Sequence, residues 1–309
     1  MCAQARIESV TASNEIEGLV VERERVTSLL SSDGVRFRNR SEAEFAGYTT
    51  ALDYVYANSP ERLTVGFVCY LHRLLYSHTE GRGGSFKRAD NIVMENQLDG
   101  KRSIRFTPVS AKLTPFFVDE LIIRTEEHLK SGAHHPMLVI TAFALDLSCI
   151  HPFADGNGRI ARLLTTYLME RAGYGVGRYI SLEQLILNSK DDYYASLRRS
   201  TDKWFDSGQH QIWPWAQFLL GQTAEAYRLY ESRIDYATKG GSKQDRVRRW
   251  VFKIAPNKFS MDDVRRALPG MSDNTLRLVL QAMRDEKIIR VDGLGRTATW
   301  MKIAREAIG

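Results

Sequence analysis

His151-Pro152-Phe153-Ala154-Asp155-Gly156-Asn157-Gly158-Arg159-Ile160-Ala161-Arg162 decides how this chain is read. An apolar helical pattern follows it at once, in Ile160, Leu163, Leu164, Tyr167 and Leu168. Gly156, Asn157 and Gly158 can adopt backbone angles that turn successive N–H groups inward as an anion nest. A helix beginning there adds unpaired N–H groups and the positive end of its dipole. Arg159 and Arg162 are three apart and project from one face of its first turn. Asp155 stands where a hard cation bridging phosphate oxygens needs a carboxylate. His151 closes the preceding apolar helix. Together these residues read as a polyphosphate cradle with a proton acceptor beside it. A glycine-punctuated turn with solvated charges has no use for them at such fixed offsets.

The run resembles the signature of the Fic family, His-x-Phe-x-(Asp/Glu)-Gly-Asn-Gly-Arg-x-x-Arg, at His151, Phe153, Asp155, Gly156, Asn157, Gly158, Arg159 and Arg162. The resemblance implies transfer of AMP from ATP to a Ser, Thr or Tyr hydroxyl of a target protein, and of the chain itself. His151 is then the general base, and Asp155 the ligand of Mg²⁺ (or Mn²⁺). Asn157 and the amides of Gly156 and Gly158 hold the α-phosphate, while Arg159 and Arg162 take the β- and γ-phosphates. The chemistry agrees: such transfer needs mainly positioning and charge neutralisation, plus one group to accept the nucleophile's proton. An imidazole titrating near neutrality suits that task.

Three shorter matches extend the resemblance. Ser13-Asn14-Glu15-Ile16-Glu17-Gly18 is similar to the inhibitory motif of one class of Fic proteins, which implies that Ser13, Glu17 and Gly18 form an autoinhibitory element, with Glu17 paired to Arg162. Gly84-Ser85-Phe86-Lys87 with Asn91-Ile92-Val93 resembles the Fic flap, with Lys87 for the usual Arg and Ile92 for the usual Trp. Apolar stretches Ile92–Met94 and Ile104–Thr107 around Asp99-Gly100 predict a β-hairpin, which in the family adds a target strand. Gly81-Arg82-Gly83-Gly84 reads as a flexible hinge. Tyr193 and Tyr194 match a pair that flanks adenine.

Composition bounds the rest. At 309 residues, 43% hydrophobic and 10% aromatic, the chain suits about two domains with real cores. No run approaches the ~18 apolar residues of a membrane span, and the polar start (Arg6, Glu8, Glu15, Glu17) is no secretory signal. Scattered Cys2, Cys69 and Cys149 read as reduced thiols of a cytoplasmic protein. Cys149 lies two residues from His151, yet no oxyanion or third-group pattern supports a Cys–His nucleophile. The other histidines lack metal spacing, and His72, His78, His128 and His210 stand alone.

Residues 243–309 hold fifteen Lys+Arg against eight Asp+Glu, so the whole basic excess of the +6 chain lies there. Beyond a linker at Lys239-Gly240-Gly241-Ser242-Lys243, three helices and a two-stranded hairpin resemble a winged helix-turn-helix, with Asn274, Thr275 and Arg277 opening its third helix. DNA binding and protein contact through 243–309 both stay open, as does a homodimer.

Upstream, periodicity predicts helices near 41–57, 64–77, 114–130, 137–150, 158–172, 181–199 and 213–236, with Trp204, Trp213 and Trp215 in the core. The expected fold is mainly α: an amino-terminal helical region (1–60), a Fic-type core with a β-hairpin flap (61–238), and a winged-helix domain (243–309). Two other functions use the same residues: removal of AMP from a modified protein, and a transcriptional regulator whose Fic fold senses nucleotide.

Overall fold

The structure, a computed structural model, describes residues 2–31, 35–81, 83–96, 102–202, 204, 210–238, 242–293 and 299–303. It is mainly helical and forms two compact units, Met1–Ala226 and Tyr227–Gly309. The first holds α1 (Ala3–Ile16), α2 (Arg23–Ser31), α3 (Arg40–Asn58), α4 (Val65–Leu75), the hairpin β1 (Val93–Asn96) and β2 (Arg102–Phe106), α5 (Thr114–Ser131), α6 (Pro136–Ile150), α7 (Asn157–Arg171), α8 (Leu182–Asn188), α9 (Lys190–Thr201) and the start of α10 (Ile212–Thr238).

Helix ends follow local chemistry. Asn39, Thr64 and Ser181 cap α3, α4 and α8 with side-chain oxygens. His135 caps α6, with Pro136 at its first turn. The interior of this unit is built around α6 and α7, which pack on each other, with α3 and α4 against α7 and α5 against α6. The connection between α6 and α7 is the signature loop, so the two most buried helices aim its residues from both sides. The amino-terminal helix α1 packs along α8 and touches α3 and α7. Its buried positions are mostly small or polar, including Ser9, Ser13 and Asn14.

Several expectations are corrected here. The helix predicted over 181–199 is two helices, broken at Ser189 (φ −125°, ψ 38°), whose backbone leaves the helical region. Trp215 is buried but Trp213 is 63% exposed, since two residues along a helix point to nearly opposite faces. The stretch read as a hinge is tied down: a Cβ on Gly83 would strike the His72 carbonyl, and the Gly84 N–H donates to His72 Nδ1 at 2.8 Å. Asp99-Gly100, Leu294-Gly295 and the linker glycines Gly240 and Gly241 lie outside the described residues.

The second unit holds α11 (Lys243–Lys253), β3 (Lys258–Ser260), α12 (Met261–Ala267), α13 (Asp273–Asp285), β4 (Ile289–Asp292) and β5 (Thr299–Lys302). Its antiparallel sheet has the order β3-β5-β4, one strand more than the sequence predicts. Three residues of β3 are too few for alternation to stand out. Capping boxes at Ser242/Asp245 and Ser260/Asp263 start α11 and α12. Val247, Trp250, Phe259, Leu276, Leu280 and Met283 form its apolar core.

Candidate active site

His151 ends α6 in the left-handed region (φ 51°, ψ 61°), its N–H donating to the Leu147 carbonyl at 2.9 Å. A non-glycine residue rarely stays there unless its surroundings over-determine it, and such positions gather at functional sites. Burial, reinforced by the nearby Lys87 ammonium, pushes the His151 imidazole down to about 4. At neutral pH the ring is therefore an uncharged proton acceptor.

The loop after it is stapled at nearly every residue. Asn157 uses its side chain on Phe153 at both ends: Oδ1 accepts from the Phe153 N–H and Nδ2 donates to the Phe153 carbonyl, each at 2.8 Å. Its amide thus shapes the loop from below, where the resemblance has it holding the α-phosphate. Gly156 caps α7 at φ +75°, and a Cβ there would meet Leu75 and the Tyr76 hydroxyl at 2.9 Å. Its N–H donates to Asp155 Oδ1 at 2.7 Å.

His72, read in the sequence as standing alone, is the buttress of this loop. Its ring stacks on Phe153 at 3.8 Å, and because Nδ1 accepts from Gly84, Nε2 carries the hydrogen donated to the Asp155 carbonyl at 3.1 Å. Burial holds it near 4, neutral as that arrangement needs.

Lys87 performs a similar service from the flap base. Its ammonium donates to the Ile150 carbonyl at 3.1 Å and to Asn91 Oδ1 at 2.9 Å, and burial lowers it to about 8. Asn91 in turn donates to the Phe153 carbonyl at 3.2 Å. Ile92 precedes β1, which Val93 opens, and Ile92, Met94 of β1 and Ile104 of β2 leave apolar surface exposed.

Arg162, 6% exposed, is gripped by the end of α1. It donates to the Ser13 hydroxyl and carbonyl, each at 2.9 Å, and to Glu17 Oε1 at 2.8 Å. Glu17 and Gly18 (φ +79°) terminate α1. The Glu17 carboxylate lies over Gly158: a Cβ there would strike Glu17 Oε1 and come within 3.3 Å of Arg162 Nη1. The structure thus brings Ser13, Glu17, Gly158 and Arg162 together. Arg162 Nη1 is buried without a hydrogen-bond partner.

Arg159 points elsewhere. It is 2% exposed, paired with Glu44 at 2.5 Å and donating to the Tyr76 hydroxyl at 3.2 Å. Tyr193 is buried against Trp215 and Phe218, while Tyr194 is half-buried, donates to the Ile16 carbonyl at 3.3 Å and lies under Arg105. Arg40 of α3 pairs with Asp155 Oδ2 at 2.7 Å.

Arg40, Glu44, His72 and Tyr76 belong to the site and escaped the sequence reading. The only trace they leave is local: Arg40 and Glu44 are spaced as an i,i+4 pair, with a cation at the start of a helix. Asp146, five residues before His151, pairs with His210. That pair borders a separate apolar cavity of about 560 Å³, lined also by Phe116, Phe117, Phe143 and Trp204.

The donor set suits a divalent cation held mainly by substrate. Asp155 keeps most of its carboxylate exposed, and no group of three or more metal-ligating side chains occurs among the described residues. One carboxylate plus phosphate oxygens and water is how Mg²⁺ is usually held beside a nucleotide.

Residues 62–169 match the model of the Fic/DOC family. The chain is 28% identical over 196 residues to "Protein adenylyltransferase Fic" of Drosophila grimshawi, covering 60% of this chain and 34% of the relative. It is 33% identical over 134 residues to the protein of the same name from Drosophila willistoni, covering 42% and 25%. The chain therefore spans about a third or less of the curated relatives it matches. A Fic family protein of Desulfovibrio desulfuricans G20 shares the fold at a TM-score of 0.60, with 22% identity over 98% of this chain and 87% of that one. The full signature, folded into a loop between the two central helices, lies within residues 62–169, the part of the chain that matches the Fic/DOC family model.

Proposed function

We propose that this protein transfers AMP from ATP to a hydroxyl side chain of a target protein and of itself, and that Glu17 restrains the reaction. The observation that carries the reading is the Glu17 carboxylate held over Gly158 and against Arg162. A neutral imidazole stands at one end of the loop, and at the other a carboxylate occupies the space beside a buried arginine. Arg162 Nη1 is a buried donor lacking an acceptor, which is costly unless an anion supplies one. A triphosphate replacing Glu17 supplies it.

In this mechanism His151 takes the proton of the incoming hydroxyl as its oxygen forms a bond to the α-phosphorus. The bond from that phosphorus to the bridging oxygen breaks, and pyrophosphate leaves. Gly156 and Gly158 let the loop amides approach the phosphates, and Arg162 neutralises the terminal phosphates once Glu17 has withdrawn. Arg159 acts through the fold, fixing α7 to α3. Mg²⁺ held by Asp155 would supply charge neutralisation between phosphates. Tyr193 and Tyr194, the latter bonded to the Ile16 carbonyl at the end of α1, are assigned to adenine, and the hairpin with Ile92 and Val93 to the target strand.

Incubation with α-labelled ATP and Mg²⁺ tests the reading on the parent, Glu17→Gly and His151→Ala. Label is expected weakly on the parent, many-fold more on Glu17→Gly, and not on His151→Ala. Equal labelling of parent and Glu17→Gly removes the restraint; labelling of His151→Ala removes the base.

The second unit supports a docking module of the winged-helix kind. Many of its cations are already paired, as in Arg248 with Glu286, Arg265 with Asp262 and Asp273, and Arg266 with Asp263. Leu278, 57% exposed, sits on the outward face of α13 between Asn274 and Gln281. This favours a protein partner over DNA. Gel retardation across a salt series decides, since DNA binding must weaken steeply as salt rises.

A further inference from the structure

Asp155 is the carboxylate assigned above to the divalent cation, and in this structure both of its oxygens are engaged. Oδ1 accepts from the Gly156 N–H and Oδ2 from Arg40, each at 2.7 Å. Arg40 reaches the loop across 115 positions of sequence, from the first residue of α3 behind the Asn39 cap. A cation at that end opposes the helix dipole. Its side chain is 66% exposed, so packing does not account for it either. What accounts for it is the pair of carboxylates its guanidinium bridges. Nε binds Glu44, which in turn holds the buried Arg159, and Nη2 binds Asp155. Arg40 is thus hung from Glu44 with its other edge on Asp155 Oδ2.

We propose that Arg40 is a resident cation at the metal position, a positioning residue that keeps Asp155 oriented before nucleotide arrives and must release Oδ2 for the divalent ion to bind. The inference rests on the reading of Asp155 as the metal carboxylate. A metal ion needs the lone pair that the guanidinium N–H occupies, and a second positive charge so close repels it. An exposed ion pair is weak, so the exchange is open to the metal–nucleotide complex. Glu44 then keeps the displaced guanidinium beside the loop. Nucleotide loading accordingly meets two restraints from the amino-terminal side, Glu17 against the phosphates and Arg40 against the metal.

The test is a Mn²⁺ titration followed by electron paramagnetic resonance, on the full chain carrying Glu17→Gly and saturated with a β,γ-imido analogue of ATP. Arg40→Gln is expected to bind Mn²⁺ about 3- to 5-fold more tightly than its parent, and to need less Mg²⁺ for half-maximal self-labelling. Arg40→Lys, which keeps the charge without the fork, is expected near the parent. Unchanged or weaker Mn²⁺ binding in Arg40→Gln, with thermal stability retained, overturns the proposal. Asp155→Asn separates the two failures. If it leaves Mn²⁺ affinity intact, the metal assignment itself is wrong; if it abolishes binding while Arg40→Gln does nothing, only the role of Arg40 falls.

Discussion

The signature loop and the flap hairpin belong to the same unit and are built on opposite principles. Between His151 and Arg162 hardly a polar group is idle: Asn157 closes the turn on Phe153, His72 and Gly156 fix Asp155, and Ser13 and Glu17 hold Arg162. The hairpin is a two-stranded sheet with open edges, and Ile92, Met94 and Ile104 face solvent. Chemistry needs atoms held within fractions of an ångström, whereas recognition by strand addition needs unpaired edges and side chains free to meet a partner. The loop is over-determined and the hairpin is left incomplete. Lys87 and Asn91 join them, tying the flap's base, though not its strands, to the loop.

The contrast can be broken most sharply at His151. Replacement by Ala is expected to lower self-labelling by about 10²- to 10⁴-fold, read as label per mole of protein, with thermal stability near that of the parent. A smaller loss on that scale would show that another group takes the proton. Asn157→Ala tests the stapling. It leaves the Phe153 N–H and carbonyl without partners, so a loss of about 2 kcal/mol in urea unfolding is expected, along with collapse of labelling. Retained stability would mean that the loop holds its shape without the amide.

A third experiment uses pH. Burial places the folded pKa of His72 near 4, against ~6.5 when unfolded. The unfolded chain therefore binds the proton first, and stability is full above about 6.5 and declines as pH falls toward 4. His72 accounts for up to about 3 kcal/mol of that decline, and His72→Gln should flatten the curve of urea midpoint against pH in that window. His151 shifts in the same direction, so the acid limb of the labelling rate should lie well below pH 6.5. The smallest effect belongs to the hairpin. Ile104→Ser should move stability by less than about 0.5 kcal/mol while raising the KM for a protein target and sparing nucleotide binding. A large loss of stability would show that Ile104 belongs to the core.

How much was legible depended on how far apart the partners lie. The staples internal to the loop span four residues or fewer, so Gly156, Asn157 and the helix after them could be read from spacing. The contact of Glu17 with Arg162 crosses 145 positions and was legible only because a second short motif marks it. Arg40 with Asp155, and His72 with the loop carbonyl, have no such mark. A lone surface-type Arg and a His in an apolar helix look the same whether they are solvated, packed or functional. Trp213 and the break at Ser189 escaped for another reason: periodicity over a long helix averages away single positions.

By itself the sequence determined a helical protein in which a loop of Asp, Asn, Gly and Arg joins two apolar helices, with a histidine at its mouth and a basic second unit. These follow from neighbours in the chain, whose geometry is set by backbone sterics and the helical repeat. Only the tertiary structure decided which charges face the loop hollow and which are neutralised beforehand, leaving Arg162 with Glu17, Arg159 with Glu44, and Asp155 with Arg40. Coulomb attraction and hydrogen bonding act over a few ångströms of space, whatever the distance along the chain, and folding alone sets that proximity.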